Sequence, residues 1–179
     1  MTDCFQPLER KSRIALETIK LLNAHSIGYL IVTKSSLIAE DEYMAVLDKN
    51  LAHIQITVTC LDDDCAKEYE NADLPSTRIE AIYALQDAGF DVALRVSPFI
   101  EEYNDFQRLN SLRAAKYIIE FLRVNPWIKK WFPAIDYGKY TLRHHNYWHL
   151  PLEDKQRLLG KVYLPNVSIC EDVSAHYEY

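Results

Sequence analysis

"IVTKSSL", residues 31–37, ends a short β-rich apolar run, YLIVT (29–33), with a lysine and two serines. A core strand stays apolar to its end. A strand of a parallel α/β fold turns polar at its C-terminal end, where loops held by a rigid sheet stay open to solvent and ligand. The fold therefore depends on whether the flanking segments alternate helix with strand. Upstream, residues 8–24 place Ile14, Thr18, Leu21 and Leu22 at helical spacing with charges on the other side, and Gly28 breaks the pattern before the strand. The run 29–33 reads as a strand covered on both faces.

Downstream, 40–51 reads as a second helix and HIQITVT (53–59) as a second strand. A polar segment follows, CLDDDCAKEYENADLP (60–75), long enough to be suspected of function. Thr77 and Glu80 have capping-box spacing after Pro75, with Ile79, Ile82 and Tyr83 as the apolar face and Gly89 as a left-handed stop. FDVALRVS (90–97) is a third strand. Three such alternations predict parallel strands joined by right-handed crossovers, in an open doubly wound sheet or a piece of a (βα) barrel. Beyond residue 105, SLRAAKYIIEFLRV reads as a buried helix or as a helix running into a strand at YIIEFLRV. Residues 151–162 read as a helix and NVSIC (166–170) as a last strand.

The 179 residues, 49% apolar, suit one domain spanning 1–179, with no flexible linker. With 26 acidic against 20 basic residues, the net charge of −6 argues against a general electrostatic grip on nucleic acid and leaves room only for a local basic groove. No apolar run approaches a bilayer span and no apolar stretch follows a basic leader, so the expectation is a cytoplasmic protein without a membrane segment. In such a compartment Cys4, Cys60, Cys65 and Cys170 read as free thiols.

Parallel strands would bring Thr33, Lys34 and Ser35 together with Thr59, Cys60 and Asp62–Asp64, then Ser97, Arg123, and Glu171 with Asp172, at one end of the sheet. Lys34 and Arg123 suit an anionic ligand group such as a carboxylate or phosphate. RHHNYWH gathers His144, His145 and His149, yet the acidic partner of a zincin motif is lacking, and Asn146, Tyr147 and Trp148 suggest an irregular surface segment. Trp127, Trp131, Phe132, Tyr137 and Tyr140 read as core and interface packing. Neither G-x-G-x-x-G nor a P-loop occurs.

TDCFQPLERKSR, IVTKSSL, ITVTCLDDD, LPSTRIEAIYALQDAGFDVALRVSPFIEEYND, EFLRVNPWIKKWF and CEDVSAHYEY, in that order and spacing, resemble the spore photoproduct lyase-like branch of the radical SAM superfamily over nearly the whole chain. The resemblance implies a partial (βα) TIM-like barrel of parallel strands, holding S-adenosylmethionine and a 4Fe-4S cluster at its strand ends. It implies a cofactor-binding set of Lys34, which would meet the methionyl carboxylate, with Ser35, Thr57, Thr59 and Ser97. Arg78, Arg95 and Arg123 occupy family-like positions without an assigned role, and no catalytic residue or metal ligand is assigned. The family's C-x3-C-x2-C cluster motif is missing. The expectation is thus a barrel without its first strand, not catalytic as this chain, whose exposed edge recruits a second copy or a complementing chain. The alternative is a non-catalytic α/β binding or interaction module, a remnant or a subunit. A phosphate-handling barrel enzyme using Lys34 and Arg123 ranks last, for want of a phosphate loop.

Overall fold

A computed structural model describes residues 3–170. Its main sheet has five strands, all parallel, in the order β1-β2-β3-β4-β7. The amphipathic segment at the start is two helices, α1 (Glu9–Ser12) and α2 (Ile14–Ala24), where one was expected. Arg13 breaks it with φ 57°, and the Glu9 carboxylate then caps the second piece by accepting the amides of Ala15 and Leu16 at 3.0 Å each. Glu9 also accepts the Tyr43 hydroxyl at 3.1 Å and is 3% exposed.

Strand β1 (Tyr29–Thr33) follows. The expected helix at 40–51 shrinks to α3 (Asp41–Met44), because an Asx turn in which Asn50 donates to the Asp48 carboxylate (2.8 Å) redirects the chain into β2 (Ala52–Thr57). The polar segment contains a short helix, α4 (Asp63–Lys67), whose N-cap is the Asp62 side chain. Helix α5 (Pro75–Asp87) starts with proline at N1 and has no side-chain cap, so Thr77 and Glu80 lie inside it instead of forming a capping box. Gly89, at φ 84°, stops it as expected. Strand β3 (Asp91–Phe99) pairs with β4 (Lys116–Phe121), with a register shift between Val96 and Phe99, and α6 (Phe106–Asn110) lies between them. Of the two readings left open for 111–124, neither holds in full: the strand is found at Lys116–Phe121, but the helix ends at Asn110, before the segment, and residues 111–115 form a turn without helix.

Beyond β4 come α7 (Ile128–Trp131), a hairpin of β5 (Leu142–His144) and β6 (Tyr147–His149), α8 (Leu152–Leu159), and β7 (Val167–Ile169) beside β4. The histidine-rich segment is thus a hairpin turning at His145, φ 51°, and not irregular. Phe132 and Tyr140 are buried as expected of that aromatic group, but Trp127 and Trp131 stand exposed.

The helices share one side of the sheet. Ile54 and Ile56 of β2, Leu94 and Val96 of β3, and Tyr117 and Ile119 of β4 join one core cluster with Leu16 and Ile19 of α2, Ile82 and Leu85 of α5, Leu109 of α6 and Leu158 of α8. Complete burial of an aliphatic side chain contributes about 1.5–3 kcal/mol, so this face carries most of the fold's stability. The alternate positions, His53, Gln55 and Thr57, then Arg95 and Ser97, then Lys116 and Glu120, face the other way. Among the described residues, only Ala93, Ile118 and Cys170 make a small apolar cluster there. A doubly wound sheet carries helices on both faces, whereas a (βα) barrel carries them outside and keeps its functional face inside. One-sided helices and a polar second face are those of a partial (βα) barrel. Strand β1, expected to be covered on both faces, is buried at Ile31 and Thr33 and only half-buried at Tyr29, Leu30 and Val32. On its free side β1 borders an apolar recess of about 390 Å³, with Leu8 and Ile14 exposed at its rim.

Candidate functional site at the strand ends

The C-terminal ends of β1, β2 and β3 meet through a run of hydrogen bonds. Lys34, one residue beyond β1, brings its Nζ to 3.4 Å from Thr59 Oγ1, and that hydroxyl donates to the Ser97 carbonyl at 3.1 Å. Lys34, Thr59 and Ser97 are therefore brought together, as the sequence predicts. Thr57 lies on the same face and is 4% exposed. Ser35 does not join them. Its hydroxyl donates to Asp73 Oδ2 at 3.0 Å and accepts from the Leu37 amide at 3.2 Å, so it shapes the turn after β1. Asp73 also accepts the Ser36 amide (2.6 Å) and hydroxyl (2.8 Å). Burial pushes this carboxyl up, but these donors and the Arg78 charge more than offset it and hold it below the usual range. Asp3 ties the leading segment to the same corner by accepting the Thr33 hydroxyl at 2.9 Å and the Lys34 amide at 2.7 Å. A recess of about 490 Å³ opens there between Asp3, Gln6, Lys34, Ser35 and Asp73.

Lys34 already has a carboxylate. Its ammonium pairs with Glu70 at 2.5 Å, and the other oxygen of Glu70 pairs with Arg78. Arg78 is fully buried and reaches from α5 to donate Nη1 to the Thr57 carbonyl at 2.7 Å. Glu70 was not singled out in the sequence, where it is one of several acids in a polar stretch. Only the fold places it between a lysine 36 residues before it and an arginine eight residues after it.

A second charged group sits farther along the same face. Glu120 of β4, 8% exposed, is paired with Arg95 of β3 and Arg123, and accepts the Ser97 hydroxyl at 2.7 Å. Burial alone would raise its pKa, but the Ser97 hydroxyl and the two guanidinium groups hold it below the usual carboxylate range. Two of the three arginines left without a role thus share one acid. Glu171 and Asp172 lie outside the described residues.

The four cysteines do not converge on this site. Cys4 is exposed, Cys60 and Cys170 are buried, and burial together with the adjacent Cys60 pushes the Cys65 thiol up to about 11. A cluster needs cysteines converging on adjacent irons, and these are not so placed. His144 and His145 place their ring centres 4.2 Å apart, and His149 lies 6.1 Å from His144. Among the described residues no group of three His, Cys, Asp or Glu side chains is arranged to hold a metal ion. The described residues therefore do not present the converging thiolates that an iron-sulfur cluster requires. No described helix is long and apolar enough to cross a membrane.

No family model matches the chain, and no curated protein matches it. Among solved structures, it is similar to spore photoproduct lyase complexed with a dinucleoside spore photoproduct, at TM-score 0.60 and 12% identity, over 90% of this chain and 56% of that one. A variant of that lyase with bound AdoMet and dinucleoside spore photoproduct gives TM-score 0.62 at 12% identity, with the same shares covered. A domain of pyruvate-formate lyase-activating enzyme from Bacteroides vulgatus ATCC 8482 gives TM-score 0.60 at 16% identity, over 95% of this chain and 98% of that one. The chain spans little more than half of the lyase structures it matches. At these identities the likeness is one of fold, and the fold is the partial barrel implied by the radical SAM resemblance.

Proposed function

We propose that this chain is a radical SAM-type half-barrel that binds the amino-acid end of S-adenosylmethionine at Lys34 and does not itself cleave the cofactor. The observation that carries the reading is the position of Lys34, a cation at the C-terminal end of β1, beside the Thr59 hydroxyl and opening on a recess of about 490 Å³. It is supported by the similarity of fold to a lyase variant that holds AdoMet.

In this reading Lys34 meets the methionyl carboxylate through a charge-assisted hydrogen bond. The ammonium has three protons, so it can keep Glu70 while it engages a second acceptor. Arg78 holds Glu70, and Glu70 holds the lysine, so the cation is positioned before ligand arrives. Thr59 supplies a neutral hydroxyl alongside, braced by the Ser97 carbonyl, with Thr57 on the same face, while Ser35 shapes the turn. S-adenosylmethionine, when bound, supplies a sulfonium centre whose carbon-sulfur bond is weak toward an added electron. This chain has no C-x3-C-x2-C from which a cluster could deliver that electron, so no step is routed through one.

Calorimetric titration with S-adenosylmethionine tests the reading. Wild-type protein should bind with a Kd from tens to hundreds of micromolar, and Lys34→Ala should weaken it at least tenfold, or about 1.4 kcal/mol. Equal heats from both proteins would end the proposal and leave Lys34 as an ion-pair partner of Glu70 alone.

A further inference from the structure

The polar face of the sheet carries a second cationic centre that the cofactor reading does not use. Arg95, Arg123 and Glu120 sum to one surplus positive charge, with the Arg95 and Glu120 side chains 13% and 11% exposed. The Ser97 hydroxyl takes one further acceptor site on that carboxylate. Two guanidinium groups offer ten N–H donors, while a carboxylate offers about four lone-pair directions. The shortfall is visible in the structure, for Arg95 Nε is buried with no hydrogen-bond partner among the described residues. A buried cation with unused donors is costly, and a surplus charge in a poorly hydrated site draws an anion. Arg123, with its side chain 41% exposed, sits at the rim and leaves the group open from outside.

The position is as informative as the charge. Lys34 follows β1, whereas Arg95 is on β3 and Glu120 on β4. Lys34 Nζ reaches across to Thr59 at the end of β2, and Thr59 is followed by Ser97, whose hydroxyl belongs to the Arg95–Glu120 group, so the two cationic centres adjoin along one face without sharing an acid.

We propose that Arg95 and Arg123, bridged by Glu120, form an oxyanion-binding subsite for a phosphate or carboxylate group of a substrate, separate from the cation at Lys34. Guanidinium groups bind planar or tetrahedral oxyanions through paired N–H donors, and two of them converging from a strand and a loop can share one anion. Glu120 orients both while competing with the ligand. It therefore sets a sign that a purely structural ion pair would not show, since neutralising it should strengthen anion binding.

The test is a titration with inorganic phosphate, and in parallel with acetate, at constant ionic strength, followed through the Arg Nε–H resonances of the full chain. A saturable shift at Arg95 in the millimolar range is expected with at least one of the two anions. The one that binds more tightly identifies the group. Glu120→Gln should tighten binding at least fivefold and Arg123→Gln should weaken it at least fivefold, while Lys34→Ala should leave it within twofold. Because Arg123 is at the rim, its variant reports even if Glu120→Gln folds poorly. No saturable shift with either anion, weaker binding in Glu120→Gln, or loss of binding in Lys34→Ala would each overturn the proposal. Failure of the S-adenosylmethionine titration would not, since that experiment reads Lys34 and this one reads Arg95.

Discussion

Arg78→Met makes the sharpest demand on the description of the site. The substitution keeps much of the side-chain volume but removes the bond from Nη1 to the Thr57 carbonyl and one of the two cations that hold Glu70. A charge-assisted hydrogen bond contributes about 1.5–3 kcal/mol, and stripping one partner from a buried ion pair costs about 3–5 kcal/mol. The two terms overlap, and Lys34 remains to hold Glu70, so the expected loss is about 4 kcal/mol. Glu70→Gln should cost about 3 kcal/mol, because it leaves the fully buried Arg78 without its carboxylate, although Lys34, with its side chain 36% exposed, can turn to water. The double variant removes the charge that Arg78→Met strands, so it should be less destabilised than the sum of the singles by about 2 kcal/mol. Urea unfolding at pH 7 measures all three. With a slope of about 2–3 kcal/mol per molar, Arg78→Met should lower the midpoint by roughly 1.5–2 M. Additivity within about 0.5 kcal/mol, or an Arg78→Met cost below about 1 kcal/mol, would refute the claim that Arg78 acts through Glu70.

Two pH-dependent outcomes follow from other carboxylates. Burial pushes Glu9 up, but the amides of Ala15 and Leu16 with the hydroxyls of Tyr43 and Ser12 bring it below its ordinary value. Glu9→Gln should therefore cost about 2–3 kcal/mol at pH 7, and denaturation curves of the two proteins should draw together as pH falls through the ordinary carboxylate range and below it, where the wild-type carboxyl protonates. Glu101 is drawn down to about 2, chiefly by hydrogen bonds from Arg157, with Lys161 and Lys139 adding. Its stabilisation, at most about 3 kcal/mol, is complete above pH 5 and is lost between about pH 4 and 2, so Glu101→Gln should lower the melting temperature at pH 7 and leave it unchanged near pH 2. A Glu101 variant that melts like wild type at pH 7 would place the Arg157, Lys161 and Lys139 contacts among ion pairs of no net worth.

Strands β1, β2, β3 and β7 were legible in the sequence because each is rich in β-branched residues and bounded by polar ones, whereas β4 could equally be a buried helix and the β5–β6 hairpin read as irregular. Lys34, Thr59 and Ser97 were legible because they fall at the polar ends of those runs. The one-sided placement of the helices was also encoded, as the alternation of His53, Gln55 and Thr57 with Ile54 and Ile56, but a five-residue strand such as YLIVT hides it behind uniformly apolar letters. Helix ends were harder to see. The break at Arg13 depends on a carboxylate four residues earlier folding back onto the amides of α2, and helical periodicity runs straight through it. Glu70 was invisible for a different reason. Nothing local distinguishes it from Glu68, and its role exists only once β1, the polar loop and α5 are side by side. Ser35 shows the reverse, since it adjoins Lys34 in sequence while its hydroxyl serves Asp73.

The strict alternation along β2, β3 and β4 has a consequence for how the chain chooses its pairing. A slip of one residue in β3 would carry Arg95 and Ser97 into the oil beneath α5 and turn Leu94 and Val96 out among charges. The guanidinium and carboxylate groups thus penalise the misaligned sheet as heavily as the aliphatic residues reward the correct one. Polar substitutions chosen to abolish ligand binding would then also loosen the grip that keeps each strand in step with its neighbour.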